Sequence, residues 1–333
     1  MLYYNLEVRM SNNFLSMTSA LALSAGIAVA DVPKVAVDIA PVHSLVSKVM
    51  NGLGEPKLII PAEASPHEYQ LRPSEAKALQ EANLVFWIGE DLTPWLEKGL
   101  STLASEATIT ALLGVDGIKL LDFREGALFE AHDHDDHDDH DDHDHDKKKE
   151  DHDDHDDHEG HGHGEHDPHA WLSPGIAKVW LNVIAAKLSE IDSANAGTYF
   201  ANADVAKQEL DALSEELNRI LEPVRGEKYI VFHDAYQYFE NHFNISASGA
   251  ISLGDASDPS PARLSEIRKR IADESIHCVL AEPQYNDGLV KAVVEGTDSN
   301  TAIIDPLGVG LKVGPSLYNK LIKNLGVNLA KCF

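Results

Sequence analysis

The chain has 333 residues, of which 43% are hydrophobic and 25% are charged, and its formal net charge is −28 at pH 7. This length suits two domains of ordinary size, each with its own core. Residues 130–167 hold nineteen acidic side chains against three lysines, so this stretch carries −16 of the charge and the rest of the chain carries −12. A mildly acidic body repels polyanions, and we therefore expect no nucleic-acid partner.

The first 30 residues have the pattern of a secretory signal peptide. An apolar run from Phe14 to Ala30 ends in small residues, which predicts cleavage before Asp31 and export of the mature chain. The basic segment that normally precedes such a run is weak here, because Arg9 is its only basic side chain and lies upstream of Met10. The sequence therefore does not fix the start codon. A retained membrane anchor is the alternative, although the run is short for a spanning helix.

Apolar runs alternate with helical patterns along the first half of the chain. The predicted strands are Val35–Ile39, Lys57–Ile60 and Leu84–Ile88. The predicted helices are Val42–Met50, Ser74–Ala82 with Ser74 as its cap, one beginning near Thr93, and one from Pro174, capped by Ser173, to about Ile191. Such alternation favours a parallel sheet with helices on both faces, in which ligands bind at the carboxyl ends of the strands.

The stretch 130–166 interrupts this pattern with histidine and aspartate at two- and three-residue intervals. So many charged and polar side chains cannot be buried without partners, which predicts a solvated, disordered loop. Imidazole beside carboxylate is a ligand mixture that zinc prefers, so we interpret the loop as an auxiliary metal-binding segment, with a polar spacer as the alternative. Its twelve histidines are His132, His134, His137, His140, His143, His145, His152, His155, His158, His161, His163 and His166.

A second alternating series follows one long helical pattern. The pattern from Ser193 to Leu221 predicts a stiff connecting helix of about 29 residues, or about 43 Å at 1.5 Å per residue. After it, the predicted strands are Tyr229–Phe232, Cys278–Ala281 and Ala302–Ile304, and the predicted helices are Ala235–His242, Ala262–Asp273, Gly288–Glu295 and a last one from Ser316. A loop rich in Ser, Gly and Pro is predicted from His242 to Pro261.

Together these patterns predict an α/β protein with two parallel sheets. Its predicted parts are a signal peptide (1–30), an N-terminal α/β domain with the histidine-rich loop (31–191), a linker helix (192–222) and a C-terminal α/β domain (223–333). The chain has two cysteines, Cys278 and Cys332, and in an exported protein such a pair is more often bonded than reduced. We therefore expect a disulfide that ties a strand to the C-terminus, with two buried thiols as the alternative.

Outside the loop, three histidines and one aspartate lie where an open α/β sheet presents ligands. His67 is in a loop after a strand, His169 precedes a helix, and His233 and Asp305 each follow an apolar strand. Three imidazoles and one carboxylate from separate loops can form a tetrahedral zinc site, and two ligands from each half would place it in the cleft between the domains. Each residue can also be a turn or core residue, and spacing alone does not decide.

Five stretches of the mature chain carry a family resemblance, namely SPHEYQLRPSEAKALQEANLVFWIG, DPHAWLSP, YIVFHDAYQYFE, LAEPQY and IDPLG. Through them the mature chain resembles, over essentially its whole length, the metal-binding solute receptors of ABC importers, specifically the ZnuA-type periplasmic zinc-binding proteins. The resemblance implies two α/β domains joined by one long rigid helix, Zn²⁺ in the interdomain cleft, and delivery to a membrane permease powered by an ATPase. It places metal ligands at His67, His169 and His233, with Asp305 as the fourth, and it supports the cysteine pairing.

Two departures from the family pattern bear on the metal site. Some zinc receptors use a Glu immediately before the first ligand His, but here Pro66 precedes and Glu68 follows, so the fourth ligand is Asp305, a water molecule or Glu68. Manganese receptors of this fold typically have Glu where His233 stands, and imidazole there favours zinc.

The predicted function is that of a monomeric periplasmic zinc receptor. A periplasmic zinc buffer or chaperone and a manganese receptor are the alternatives of related chemistry. An enzyme is not expected, because the chain has no HExxH or comparable catalytic constellation.

Overall fold

The computed structural model describes Met1, residues 32–124, Phe129, residues 166–252 and residues 259–333. Residues 2–30 of the predicted signal peptide and eleven of the twelve loop histidines lie outside these residues. The residues from Val32 to Phe333 form one compact unit with two parallel four-stranded sheets, which confirms the predicted α/β class. None of the helices within the described ranges has the length and apolar character needed to cross a bilayer.

The first sheet is built from the N-terminal part of the chain. Its strands are β1 (Val35–Val37), β2 (Lys57–Leu58), β3 (Leu84–Trp87) and β4 (Thr108–Ala111), in the spatial order β2-β1-β3-β4. The connecting helices are α1 (Ala40–Val49), α2 (Pro73–Glu81) and α3 (Pro94–Leu103). Every residue of β1 and β3 is buried, because helices cover both faces of a parallel sheet and its central strands are apolar throughout.

Two long helices follow, α4 (Pro174–Ile191) and α5 (Ala196–Leu221). Ser173 Oγ accepts a hydrogen bond from the Ile176 N–H at 3.4 Å, which confirms the predicted cap of α4. The long helix predicted from Ser193 begins with a 3₁₀ turn, Ser193–Asn195, and continues as α5 to the predicted end.

The second sheet repeats the arrangement of the first. Its elements are β5 (Tyr229–His233), α6 (Gln237–Phe243), β6 (Ala250–Ser252), α7 (Pro261–Glu274), β7 (Cys278–Ala281), α8 (Asp287–Val294), β8 (Asn300–Ile303) and α9 (Leu317–Lys331). The strands lie in the order β6-β5-β7-β8, and all neighbouring strands are parallel. The first strand of each series therefore lies inside its sheet, between the second and the third.

Helix α5 is a core element that both halves of the fold pack against. It contacts α1 and α4 from the first half and α9 from the second, and its buried side chains are Tyr199, Ala203, Ala206, Leu210, Leu213, Leu217 and Leu221. Helices α5 and α9 approach closely at Gly326, where an added Cβ would lie 2.6 Å from Leu217 Cδ2. The helix predicted to be a stiff connector is thus also the centre of the shared hydrophobic core.

Three local predictions were wrong or incomplete. Strand β4 was not predicted, because it is an edge strand whose first two residues are exposed and give no apolar run. Strand β6 lies inside the predicted loop, since its three buried residues are too few to stand out between serines and glycines. Ser74 does not cap α2: the helix begins at Pro73, and the Glu75 carboxylate accepts the Arg72 N–H at 2.7 Å.

The disulfide between Cys278 and Cys332 is present and joins the start of β7 to the end of α9, with a Cα–Cα distance of 5.6 Å. Because the bond closes a loop with a sequence separation of 54, the Cys278→Ala/Cys332→Ala variant should lose about 2–4 kcal/mol of unfolding free energy. Urea unfolding of the variant and of the oxidised and reduced wild-type protein measures this loss. If oxidised and reduced wild type unfold at the same urea concentration, the bond does not stabilise the fold.

Candidate metal centre

Three of the predicted metal ligands come together although they are distant in the sequence. His67 lies in the loop between β2 and α2, His169 immediately precedes the short turn Ala170–Leu172, and His233 is the last residue of β5. The ring centroids of His67 and His169 are 5.8 Å apart, and those of His169 and His233 are 5.4 Å apart. His169 and His233 are buried, with 5% and 3% of their surface exposed.

The spacing of the rings can be compared with that of a tetrahedral zinc site. Three imidazoles bound to one zinc ion at about 2.0–2.1 Å would have ring centroids roughly 5 Å apart. The observed separations of 5.8 and 5.4 Å are slightly larger. As the side chains stand, no group of three or more His, Cys, Asp or Glu residues in the described part of the chain is arranged to hold a metal ion. Binding therefore requires the rings to move closer and turn their nitrogens toward a common point.

Two buried carboxylates orient two of the three rings. Asp167 Oδ1 lies 2.8 Å from His169 Nδ1, and Glu282 Oε1 lies 2.7 Å from His233 Nδ1. With Nδ1 of each ring directed to a carboxylate, Nε2 is the nitrogen through which the ring would bind a metal. A carboxylate in this position fixes the ring tautomer and makes the imidazole a stronger ligand. Neither carboxylate was predicted as a site residue, although both lie in stretches that carry the family resemblance.

The charges around the rings also favour a cation. Tyr236 lies beside His233, with their ring centroids 6.1 Å apart. Burial raises the pKa of Tyr236 well above its usual value near 10, and the negative charges of Glu282 and Asp305 raise it further. The same carboxylates stabilise a positive ion placed among the rings.

A cavity opens beside the histidines and is lined by both halves of the fold. Its volume is roughly 280 Å³ when the space open to solvent is included. The first half contributes Ser65, Pro66, His169 and Trp171, and the second half contributes His233, Glu282, Gln284, Tyr285, Pro306 and Leu307. The loop that carries His67 is held beside it by Trp95, whose indole N–H donates to the Pro66 carbonyl at 2.8 Å.

The candidates for a fourth ligand differ in their surroundings. Oδ1 of Asp305 accepts hydrogen bonds from the Gln284 side chain at 2.9 Å and from the Leu307 and Gly308 N–H groups at 3.0 Å each. Any bond from this carboxylate to a metal would therefore come from Oδ2. Neither Asp305 nor Glu68 lines the cavity, but Asp305 is half-buried whereas Glu68 is exposed to solvent.

The two chain ends that flank the histidine-rich stretch are held together next to His169. Asp122 and His166 form an isolated antiparallel bridge, and the His166 ring lies 3.0 Å from the Asp122 carboxylate. Tyr238 joins the two chain segments, because its hydroxyl accepts the Leu121 N–H and donates to the Asp167 carbonyl, both at 3.0 Å. The described residues on either side of the stretch therefore lie beside Asp167, which orients His169.

A buried ion cluster holds the first of these ends to the second half of the fold. The Arg124 guanidinium donates to both oxygens of Asp234, which follows His233 directly, and to Glu240 Oε2 at 2.7 Å. Its Cζ also lies 3.7 Å from the centroid of the Phe129 ring. No pattern in the sequence marks Arg124, since its two partners lie more than a hundred residues away.

The remaining histidines have structural surroundings. His43 is buried, and its Nε2 lies 3.1 Å from the Pro56 carbonyl. His242 is half-buried between α4 and α5, and its Nε2 lies 3.3 Å from Ser214 Oγ. His277 is exposed.

Removing the charge that orients His233 should weaken metal binding. We expect Glu282→Gln to lower zinc affinity by about tenfold, at the lower end of the 10–100-fold effect of changing an outer-shell partner. Competitive titration against a chelator measures the affinity, with the exposed Glu266→Gln as the matched control. Unchanged zinc affinity in Glu282→Gln would show that this carboxylate does not affect how His233 binds the metal.

Residues 35–332 match the family model described as "ZnuA: Zinc-uptake complex component A periplasmic". The chain belongs to the ZnuA family. A high-affinity zinc uptake system protein ZnuA from Paracoccus denitrificans is 45% identical over 319 residues, which cover 96% of this chain and 97% of that protein. The family is one of solute-binding receptors and not a class of enzymes.

Solved structures share the fold at lower sequence identity. A crystal structure of ZnuA is 22% identical and has a TM-score of 0.72, covering 91% of this chain and 99% of that one. The solute-binding protein FpvC from Pseudomonas aeruginosa, in complex with Mn²⁺, is 17% identical and also has a TM-score of 0.72, covering 90% and 98%. At these identities the comparison supports the fold alone.

Proposed function

We propose that this protein captures Zn²⁺ in the periplasm and delivers it to the membrane permease of an ABC importer. The observation that carries the proposal is the convergence of His67, His169 and His233, with two of the rings oriented by buried carboxylates. Membership in the ZnuA family supports zinc as the transported ion. The chain would enter the periplasm through its N-terminal signal peptide and act there as a monomer.

The zinc ion would be held by three imidazoles and a fourth oxygen ligand. Small rotations of the His67, His169 and His233 rings bring their nitrogens to one point, and the entering ion supplies the energy for this change. The fourth ligand is Asp305 Oδ2 or a water molecule in the adjoining cavity, because Glu68 points to solvent. Protons compete with zinc for imidazole nitrogen, so affinity should fall as the pH is lowered.

The histidine-rich stretch would gather zinc close to this centre. Its many weak imidazole and carboxylate sites raise the local zinc concentration, and its second end lies at His166, three residues before His169. The ion would then pass to the tighter site. The segments 31–191 and 223–333 act as two lobes around the cleft, and α5, packed against both, limits their relative motion.

Calorimetric titration with zinc and manganese tests the proposal on the mature protein, intact and with residues 130–165 deleted. We expect one tight zinc site in both forms, additional weak zinc sites in the intact form alone, and much weaker manganese binding. Loss of the tight site with the deletion would instead indicate a zinc buffer, and tighter binding of manganese would indicate a manganese receptor.

Delivery to a permease needs a test in cells. A strain that lacks the protein should grow poorly when zinc is scarce and recover when zinc is added. Normal growth of this strain at low zinc would favour a buffer or chaperone over a component of an importer.

A further inference from the structure

Two buried tyrosine hydroxyls hold the chain on either side of His169. The Tyr238 hydroxyl donates to the Asp167 carbonyl at 3.0 Å, two residues before the histidine. The Tyr318 hydroxyl donates to the Trp171 carbonyl at 2.7 Å, two residues after it. Both tyrosines are buried, so solvent competes little for these two carbonyls. The backbone that carries the ring is therefore fixed on both sides by side chains from elsewhere in the fold.

Each tyrosine is itself held by a second hydrogen bond. Tyr238 lies in α6, which begins shortly after His233, and its hydroxyl also accepts the Leu121 N–H at 3.0 Å. Tyr318 lies in the first turn of α9, and its backbone N–H donates to Ser44 Oγ of α1 at 3.0 Å. The chain around His169 is thus tied to α6 on one side and to the contact between α1 and α9 on the other.

Tight metal binding depends on how closely the ligand rings are held to their bound positions. The ring centroids of His169 and His233 are 5.4 Å apart, against roughly 5 Å for two imidazoles on one zinc ion. A ligand that is already held near its bound position loses less conformational entropy when the metal binds. Loss of either tyrosine hydroxyl leaves a buried carbonyl without its donor, which favours a shift of the chain around His169.

We propose that Tyr238 and Tyr318 are positioning residues for zinc, which hold the backbone around His169 so that its ring stands ready beside His233. This inference rests on the proposed function, because it concerns the same metal centre. The tyrosines are not ligands in this role, since each acts through a backbone carbonyl. They also hold Asp167, and with it the carboxylate that orients the His169 ring at 2.8 Å from Nδ1.

Phenylalanine variants test this role, because the change from tyrosine removes only the hydroxyl. Tyr238→Phe and Tyr318→Phe should each lower the zinc affinity of the mature protein by about threefold to tenfold, the scale of a lost hydrogen bond. The double variant should lose more than either single variant. Competitive titration against a zinc chelator measures these changes, and urea unfolding of the zinc-free proteins measures their stability.

Tyr199→Phe is the matched control. Tyr199 is also buried, but its hydroxyl donates to Asp192 Oδ2 at 2.9 Å, where α4 ends. This variant should also be less stable in urea, yet it should bind zinc like the wild type. An equal loss of zinc affinity in Tyr199→Phe would show that the effect follows stability, and it would overturn the positioning role.

The same titrations in the His169→Ala background show whether the effect passes through that ring. The remaining imidazoles should bind zinc weakly there, and removing the Tyr238 or Tyr318 hydroxyl should leave this weak affinity unchanged. Wild-type affinity in both single variants, or an equal loss without His169, overturns the positioning role while the zinc-receptor proposal stands. A wild-type protein without a tight zinc site overturns both.

Discussion

Replacing His233 with alanine is expected to abolish tight zinc binding. The ring is one of three converging imidazoles, it is 3% exposed, and its Nδ1 is held by Glu282 at 2.7 Å. Loss of a direct ligand should exceed the roughly 10–100-fold effect of losing an outer-shell partner, so we expect the affinity to fall by more than a hundredfold. Competitive titration of the mature variant against a zinc chelator measures the change.

His277→Ala is the matched control, because His277 lies in the same half of the fold but is exposed. This variant should bind zinc like the wild type. If His233→Ala retained the tight site, the three converging rings would not be the zinc centre. The ligand would then have to be sought among the residues from 130 to 165.

Replacing Arg124 with alanine is expected to have the largest effect on stability. Arg124 pairs with Asp234 and Glu240, whose side chains are only 6% and 3% exposed. Removing it leaves two buried carboxylates without their cation, and breaking a buried pair in this way typically costs about 3–5 kcal/mol. Urea unfolding at pH 8 measures the loss. Lys228→Ala, which removes an exposed pair with Glu274, should cost less than about 1 kcal/mol.

The effect of Arg124→Ala should also depend on pH. Burial raises the pKa of Glu240, and Arg124 opposes this shift, so the variant should have a still higher folded-state pKa. The folded variant then holds a proton that the unfolded chain releases, and its stability falls as the pH rises above the unfolded-state pKa. The loss of unfolding free energy relative to wild type should therefore be smaller near pH 5 than at pH 8. A loss of unfolding free energy that does not depend on pH would contradict a role for the raised pKa of Glu240.

The sequence predicted the architecture where its elements are long and apolar. The buried strands around Val35, Leu84 and Tyr229 were recognised from their β-branched and aromatic residues, and α4 and α5 from their helical spacing. Strands β4 and β6 were missed, because an exposed edge strand and a three-residue strand depend on their neighbours rather than on their own composition.

The convergence of His67, His169 and His233 could be predicted because parallel sheets bring the carboxyl ends of their strands together. Their supporting residues could not. Asp167 and Glu282 are two of many acidic residues, and only the fold shows which of them face His169 and His233. The hydrogen bond from Gln284 to Asp305 is likewise tertiary, since the two residues are 21 positions apart in the sequence.

Asp122 and His166 lie side by side, so the two ends of the segment 123–165 are held at one place. The entropy cost of closing a loop grows slowly with its length, by roughly 0.6 kcal/mol for each doubling. Repeats of histidine and aspartate can thus be gained or lost there without moving a strand or a ligand. Under the proposed function, selection can adjust the zinc capacity of this segment to the supply of a habitat while the affinity of the receptor stays constant.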